Sequence, residues 1–168
     1  SFIDYREILV SPFAPSVSIL APAYNEEATI VDNVKSIMSL HYSNFEIIII
    51  NDGSKDHSLE KLIHAYQLEK VDFCVNEQLN HQPIRGIYKS RNSSYAKLIV
   101  IDKENGGKSD ALNAGINVSS KDLLLCIDVD CIVEQDALLK LVKPYLEEKK
   151  RVIATGGVVR IANSCEVE

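Results

Sequence analysis

The sequence lacks several features that mark common functional classes. No cluster of Lys or Arg opposes the net charge of −6, so the chain is a poor candidate for binding nucleic acid or an anionic membrane surface. No apolar run approaches the roughly 18 to 20 residues that cross a bilayer, and no signal peptide opens the chain. Its 46% hydrophobic and 25% charged residues predict a soluble globular domain.

The cysteines form no Cys-x-x-Cys pair. They are Cys74, Cys126, Cys131 and Cys165, and three of them lie in apolar or strand-like runs. We therefore expect buried, reduced thiols rather than disulfides or a zinc site, and a cytosolic setting. The four histidines show no metal-ligand spacing and are expected to be surface or packing residues.

Apolar periodicity predicts alternating strands and helices. The predicted strands are 17–21, 45–50, 71–75, 97–101, 122–127 and 152–154, and the predicted helices are 26–38, 59–66, 109–117 and 138–145. This order predicts an α/β fold whose mainly parallel sheet is flanked by helices on both faces. The polar segment 77–95 has no period and is expected to be a long functional or mobile loop.

Polar motifs follow four of the predicted strands. They are Tyr24-Asn25-Glu26, Asp52-Gly53-Ser54, Asn105-Gly106-Gly107-Lys108 and Asp128-Val129-Asp130. Ligands of open parallel sheets bind beyond the carboxyl ends of the strands, so we expect these motifs to share one site.

The segment 126–131 (CIDVDC) ends a run that has the composition of a strand buried on both faces. Because side chains alternate along a strand, Asp128 and Asp130 can point the same way, and two like charges that close favour a bound cation. Mg²⁺ or Mn²⁺ would suit two carboxylates and would neutralise charge on a departing diphosphate. A solvated strand end is the plainer alternative.

The segment Asn105–Lys108 has the composition of an anion-binding loop at the start of a helix. The N–H groups of Gly106 and Gly107 are expected to approach an anion, and Lys108 adds a full positive charge. A glycine turn with a surface lysine is the alternative. A nucleotide P-loop does not fit, because Asp102 stands where its first glycine is required, and the dinucleotide fingerprint G-x-G-x-x-G is absent.

Two residues beyond the first strands are candidates for nucleotide contacts. Asp52 would accept hydrogen bonds from a base or ribose, as acidic residues after a strand do in nucleotide-binding folds. Tyr24 would offer a ring face to the base. A turn aspartate and an ordinary half-buried aromatic residue are the alternatives.

Taken together, the motifs resemble the ordered motif set of the inverting family 2 glycosyltransferases, which have the Rossmann-like GT-A fold. The matching segments are 21–27 (APAYNEE), 51–56 (NDGSKD), 105–115 (NGGKSDALNAG) and 127–131 (IDVDC). The branch that they resemble is that of the membrane-bound synthases of poly-N-acetylglucosamine, hyaluronan and chitin. Asn51 departs from the Asp that is common at that place.

The resemblance implies roles for the matching residues. The nucleotide pocket would be lined by Pro22, Ala23, Tyr24 and Glu26. Asp52 would hydrogen-bond uracil or ribose, and Gly107 and Lys108 would face the diphosphate. Asp128 and Asp130 would hold Mn²⁺ or Mg²⁺, with Asp130 as the more direct ligand and the catalytic residue of this set.

The implied reaction is transfer of a sugar from a UDP-sugar, such as UDP-N-acetylglucosamine, to a saccharide acceptor with inversion. Residues 1–16 would form a lead-in segment, and residues 17–168 the donor-binding part of a GT-A domain. The family's catalytic base and its Gln-x-x-Arg-Trp motif do not occur in the sequence, which has no Trp. We therefore expect the base beyond residue 168, in a longer enzyme at the cytoplasmic face of the membrane.

Two alternatives stay open. The first is a nucleotide-sugar-binding domain without catalysis, since the chain alone would bind a donor without turning it over. The second is a sugar nucleotidyltransferase, which would need a phosphate loop rich in Gly, Arg and Lys after the first strand. This chain has PAYNEE at that place.

Overall fold

The computed structural model describes residues 4, 6, 8 and 14–147, which form a sheet with helices on both faces. The strands in this part are β1 (Val17–Ala23), β2 (Phe45–Asp52), β3 (Leu68–Val71), β4 (Ile84–Ser90), β5 (Leu98–Lys103) and β6 (Leu123–Cys126). The helices are α1 (Ile30–Met38), α2 (Ser58–Tyr66), α3 (Lys108–Val118) and α4 (Ala137–Glu147), with a 3₁₀ turn at Ser93–Tyr95.

The strand order is β3-β4-β5-β2-β1-β6. Strands β5, β2, β1 and β6 are parallel, whereas β4 is antiparallel to both β3 and β5. The predicted α/β fold with a mainly parallel sheet is therefore confirmed. The carboxyl ends of the four parallel strands meet at one edge, where the polar motifs begin.

Strand β2 shows how the sheet is held between two layers. Ile47 and Ile49 pack into the cluster beneath α1, α2 and α4, while Ile48 and Ile50 pack on the opposite face against α3. Both sets are fully buried, which explains why the middle of this strand has no polar residue. Burial of each such side chain stabilises the fold by about 1.5–3 kcal/mol.

The region before β5 differs from its predicted form. The predicted strand 71–75 is wrong, because β3 ends at Val71, opposite Ile87 of β4. Phe73 and Val75 alternate like strand residues, yet they pack against the cluster on the α3 face without belonging to a strand. The predicted loop 77–95 is also wrong, since it contains β4 and the 3₁₀ turn.

Strand β6 was expected to be buried on both faces, and this is wrong. It lies at the edge of the described sheet, so Leu123 and Leu125 are half-buried while Leu124 is 47% exposed. The predicted strand 152–154 lies outside the described residues.

The cysteines within the described residues are free, but they are not buried. Cys74 and Cys126 are exposed and Cys131 is half-buried, so the expectation of free thiols is confirmed and the expectation of burial is wrong. Cys126 is exposed because it lies on the uncovered face of the edge strand. Cys74 is exposed because it alternates with Phe73 and Val75, which pack against the core. Cys165 lies outside the described residues.

Two further findings concern the ends of the chain and the membrane. Ile8 is fully buried and belongs to the same cluster as β1 and α1. The predicted boundary between a lead-in segment and the domain at residue 16 stays a prediction.

In the part of the chain that the structure describes, no helix has the length and apolarity needed to span a bilayer.

Candidate functional site

The structure brings the charged members of three motifs together at the carboxyl edge of the sheet. Lys108, the first residue of α3, contacts Asp128, which follows β6. The negative charge of Asp130 acts on Glu26, which follows β1. Val129 is buried between the two exposed aspartates, which lie beyond the end of β6 at Cys126, so strand alternation does not apply to them and their shared direction stays a prediction.

Lys108 places a positive charge beside Asp128. Its ammonium group donates a hydrogen bond to Oδ1 of Asp128, and both side chains are more than half exposed. This hydrogen bond and the charge of Asp128 raise the pKa of Lys108, and the charge of Asp130 adds to the effect. The lysine therefore stays positive at neutral pH.

Glu26 shows that negative charge accumulates at this edge. Burial raises its pKa first, and the charges of Asp130 and Asp56 raise it further. A cation beside Asp130 would relieve this repulsion.

Asp128 and Asp130 fit the needs of Mg²⁺ or Mn²⁺. Such an ion is held by one or two carboxylates and keeps its other positions for water and phosphate oxygens. Both carboxylates are exposed at the open edge of the sheet, which leaves room for those ligands. Among the described residues, no group of three or more His, Cys, Asp or Glu side chains forms a ready-made metal site. The remaining ligands would therefore have to come from a substrate and water.

Neutralising Asp130 is expected to lower the pKa of Glu26 in the metal-free protein. The pKa of Glu26 in Asp130→Asn should fall toward its ordinary value of 4.5 but stay above it, because burial remains. A raised pKa means that this group's contribution to stability is present below pH 4.5 and is lost as the pH rises through the folded-state pKa. NMR titration of the carboxyl carbons measures the shift. Asp136→Asn, which neutralises a half-exposed acid on another segment, is the control and should leave the pKa of Glu26 unchanged. An unchanged pKa in Asp130→Asn would show that Asp130 and Glu26 lie too far apart to interact.

The loops after β1 and β2 are fastened to each other. The N–H of Asn25 donates to Ser54 Oγ at 3.0 Å, and the Asn25 side chain accepts from the N–H of Lys55 at 2.8 Å. The N–H of Glu26 donates to Ser58 Oγ at 2.9 Å. The predicted helix start at Glu26 is wrong, since α1 begins at Ile30.

This fastening also fixes the residues that end β1. Pro22 and Ala23 are the last residues of the strand, half-buried and buried respectively. Tyr24 follows them and is 45% exposed at the site edge.

Asp52 is buried, and its carboxylate binds the protein's own glycine loop. It accepts hydrogen bonds from Gly106 N at 3.0 Å, Gly107 N at 2.8 Å and Lys103 Nζ at 2.7 Å. The expectation that these two N–H groups face a bound anion is therefore wrong, because Asp52 is their anion. Contact of Asp52 with a base or ribose stays a prediction.

Sequence reasoning missed the residues beneath this loop. Lys103 is fully buried between Asp52 and Asp110, although a lysine at a strand end is typical of the protein surface. The signal that could have revealed these residues is the register of the parallel β2–β5 pair. Asp52 lies opposite Lys103 in this pair, and Asn51 lies opposite Asp102. That pairing can be derived only once the strand order is known.

The same register explains why residue 51 is Asn and not the Asp that is common at this place in the family that the sequence resembles. Its Nδ2 donates to Asp102 Oδ1 at 2.9 Å in a buried position. An aspartate at 51 would place a second carboxylate against Asp102, which already pairs with Arg85 at 2.9 Å.

A cavity of about 700 Å³ lies at the β3–β4 end of the sheet. It is lined by β3, β4 and the segment between them, including Phe73, His81 and Arg85. None of the predicted site residues lines it, so it is separate from the charged edge.

A family model described as "Glycosyl transferase family 2" matches residues 18–164. The poly-beta-1,6-N-acetyl-D-glucosamine synthase of Staphylococcus aureus (strain COL) is 33% identical over 152 residues, which is 90% of this chain and 30% of that protein. The chain thus spans about 30% of the length of this curated relative.

Two solved structures share the fold. A mannosyltransferase from Pyrobaculum calidifontis, in complex with GDP-Man and Mn²⁺, has a TM-score of 0.59 at 19% identity, with 86% of this chain and 38% of that chain covered. Glucosyl-3-phosphoglycerate synthase from Mycobacterium tuberculosis, in complex with Mn²⁺, UDP and phosphoglyceric acid, has a TM-score of 0.57 at 21% identity, with 87% and 44% covered.

Proposed function

Because the chain belongs to glycosyl transferase family 2, we propose that it is the donor-binding part of an enzyme that uses a UDP-sugar. The donor would be UDP-N-acetylglucosamine or a related sugar nucleotide, and the acceptor a saccharide. The observation that carries this proposal is the pairing of Lys108 with Asp128, beside Asp130 and Glu26, at the carboxyl edge of a parallel sheet.

The relatives support this choice without deciding the nucleotide. The similar synthase is named for a polymer of N-acetylglucosamine, and one similar fold holds UDP with Mn²⁺. The other similar fold holds GDP-Man, so a comparison of UDP with GDP is part of the test.

The nucleotide would lie over the ends of β1 and β2. Pro22, Ala23 and Tyr24 would form its wall, with the exposed Tyr24 ring against the base. Asp52 would reach the uracil or ribose from below, in addition to holding the glycine loop, and Glu26 would border the pocket on the side of Asp130.

The diphosphate would lie between Lys108 and the paired aspartates. Lys108 would exchange its hydrogen bond with Asp128 for one with a phosphate oxygen, since both groups are exposed. Bound to Asp128 and Asp130, Mn²⁺ or Mg²⁺ would neutralise the charge of the departing diphosphate. Asp130, which has no lysine partner among the contacts of the described residues, would be the more direct ligand.

The remainder of the proposal concerns a longer protein. Residues 1–16 would lead into the domain, and residues 17–168 would supply the donor site. A carboxylate beyond residue 168 would act as the base that deprotonates the acceptor hydroxyl, which then attacks the anomeric carbon with inversion. The enzyme would work at the cytoplasmic face of a membrane through segments outside this chain.

The proposal is tested by calorimetric titration of UDP, with GDP for comparison, in the presence and absence of Mn²⁺. UDP should bind more tightly than GDP, and Mn²⁺ should tighten binding by about tenfold, because Asp128 and Asp130 would hold it and it would offset the negative charge of the diphosphate. Asp130→Ala should remove the Mn²⁺-dependent part and leave the metal-free affinity almost unchanged.

Asp136→Ala is the matched control, since Asp136 is a half-exposed acid that pairs with Lys140 outside the site. It should leave both affinities unchanged. Absence of UDP binding by the unaltered protein would contradict the donor assignment. Equal Mn²⁺ dependence in Asp130→Ala and the unaltered protein would contradict the metal assignment.

A further inference from the structure

We infer that Lys103 is a positioning residue that holds the Asn105–Lys108 loop in the shape required by the donor site. Lys103 cannot touch a donor, because its side chain is 0% exposed. It acts on two carboxylates, and these in turn hold the loop. Its effect on UDP rests on the proposed function, whereas its effect on the loop does not.

The ammonium group of Lys103 has three hydrogen-bond acceptors around it. Its three acceptors are Asp52 Oδ1 at 2.7 Å, Asp110 Oδ2 at 2.5 Å and the carbonyl oxygen of Glu104 at 2.6 Å. An ammonium group has three donors, so each has an acceptor. A buried charge is tolerated when it is paired and hydrogen-bonded in this way, and becomes costly when a partner is removed.

Asp52 holds the loop from the β2 side. Its two oxygens accept from the N–H groups of Gly106 and Gly107, and Asn105 Nδ2 donates to the Asp52 carbonyl oxygen at 2.8 Å. Three consecutive loop residues are therefore bound to one aspartate.

Asp110 holds the loop from the α3 side. A Cβ on Gly106 would lie only 2.4 Å from Asp110 Cγ, so the loop backbone packs directly against this side chain. Asp110 also accepts from the N–H of Gln82 at 2.9 Å. Burial raises the pKa of Asp110, but the hydrogen bonds from Lys103 and Gln82 and nearby positive charges lower it below its ordinary value overall.

Lys103 thus joins the two carboxylates that enclose the loop. Without its charge, Asp52 and Asp110 would repel each other across the loop, and the N–H groups of the two glycines would lose a fixed acceptor. Lys108 is the last residue of the loop, so its ammonium group would lose its position beside Asp128.

The adjacent ion pair on β5 provides a matched control. Arg85 contacts Asp102 at 2.9 Å, and Asp102 is the neighbour of Lys103 in the chain. Asp102 is bonded to Asn51 and Arg85, while the loop residues 105–107 are bonded to Asp52. Loss of Arg85 removes a partly buried charge pair and a hydrogen bond to the backbone carbonyl of Lys103 at 3.0 Å, but it leaves the Lys103 ammonium group and the bonds of residues 105–107 to Asp52 in place.

The test uses the 168-residue chain and compares its Lys103→Gln variant with the unaltered chain in two measurements. Hydrogen exchange, followed by mass spectrometry over a peptide covering residues 104–109, should become about tenfold faster, because two amides lose their fixed acceptor. The Kd for UDP in Mn²⁺ should rise by about tenfold through displacement of Lys108. Arg85→Gln should change each quantity by less than about twofold.

The outcomes separate the two hypotheses. If the unaltered protein does not bind UDP, the proposed function fails, and the exchange measurement still decides the role of Lys103. Unchanged exchange at 104–109 in Lys103→Gln, or an equal change in Arg85→Gln, overturns the inference. If Lys103→Gln does not fold, Asp110→Asn replaces it, since the change preserves side-chain size. Exchange should then rise about threefold, and no rise overturns the inference.

Discussion

Replacing Gly53 by alanine is expected to lower the free energy of unfolding by about 3 kcal/mol, from left-handed backbone strain and overpacking together. Gly53 has a φ of +68° and lies directly beneath the glycine loop. A Cβ at this position would be 2.6 Å from the backbone N of Asn105, which cannot move without displacing Asn105 from Asp52. Urea denaturation measures the loss, and UDP affinity should fall as well because the loop shifts.

Gly107→Ala measures the cost of backbone strain at a position where the added methyl group makes no close contact. Gly107 also has a positive φ, of +91°, but a Cβ there would meet no atom within 4 Å. Its substitution should therefore cost only the backbone strain, about 1–2 kcal/mol. Equal losses for the two variants would contradict the close approach of the β2 turn to Asn105.

The parts of the fold that were predictable from the sequence are those in which local pattern and tertiary environment agree. The continuous apolar run of β2 predicted a buried parallel strand, and the structure buries it on both faces. Helix α2 was predicted from spacing alone, and its apolar positions face the core at Leu62 and Tyr66. In both elements the pattern of apolar residues in the sequence matches the faces that the core covers.

The errors arise where the environment depends on strand order. Strand β4 carries Arg85, Gly86 and Lys89 among its seven residues, so its composition indicates a loop. It is a strand because β5 offers it an antiparallel partner. Strand β6 has the composition of a central strand and yet lies at the edge of the described sheet. Composition alone does not specify which neighbours a strand has.

In the site, too, some features were predictable from local motifs and others depend on strand register. The carboxyl-edge position of Lys108 and Asp128 followed from the motifs, and the structure brings these two residues into contact. The binding of Gly106 and Gly107 to Asp52 did not follow, since the motif predicts outward-facing N–H groups. A buried aspartate can replace an external anion only when the register of β2 and β5 places it under the loop.

Replacing Lys108 by glutamine is expected to weaken UDP binding by about 30- to 100-fold, because the diphosphate would lose a charge-assisted partner at a helix N terminus. The thermal midpoint should stay almost unchanged, since the ion pair with Asp128 is more than half exposed on both sides. Calorimetric titration of UDP and of uridine measures the effect. Uridine, which has no phosphate, should bind equally to both proteins.

Lys140→Gln is the matched control for charge removal. Lys140 is a half-exposed lysine that pairs with Glu134 and Asp136, and these residues lie on the segment that leads into α4. Its loss changes the net charge by the same amount as the loss of Lys108 but leaves the site intact, so UDP affinity should change by less than about twofold. Equal weakening in both variants would mean that UDP responds to overall charge. A selective loss in Lys108→Gln, seen with UDP and not with uridine, would place the diphosphate at the start of α3.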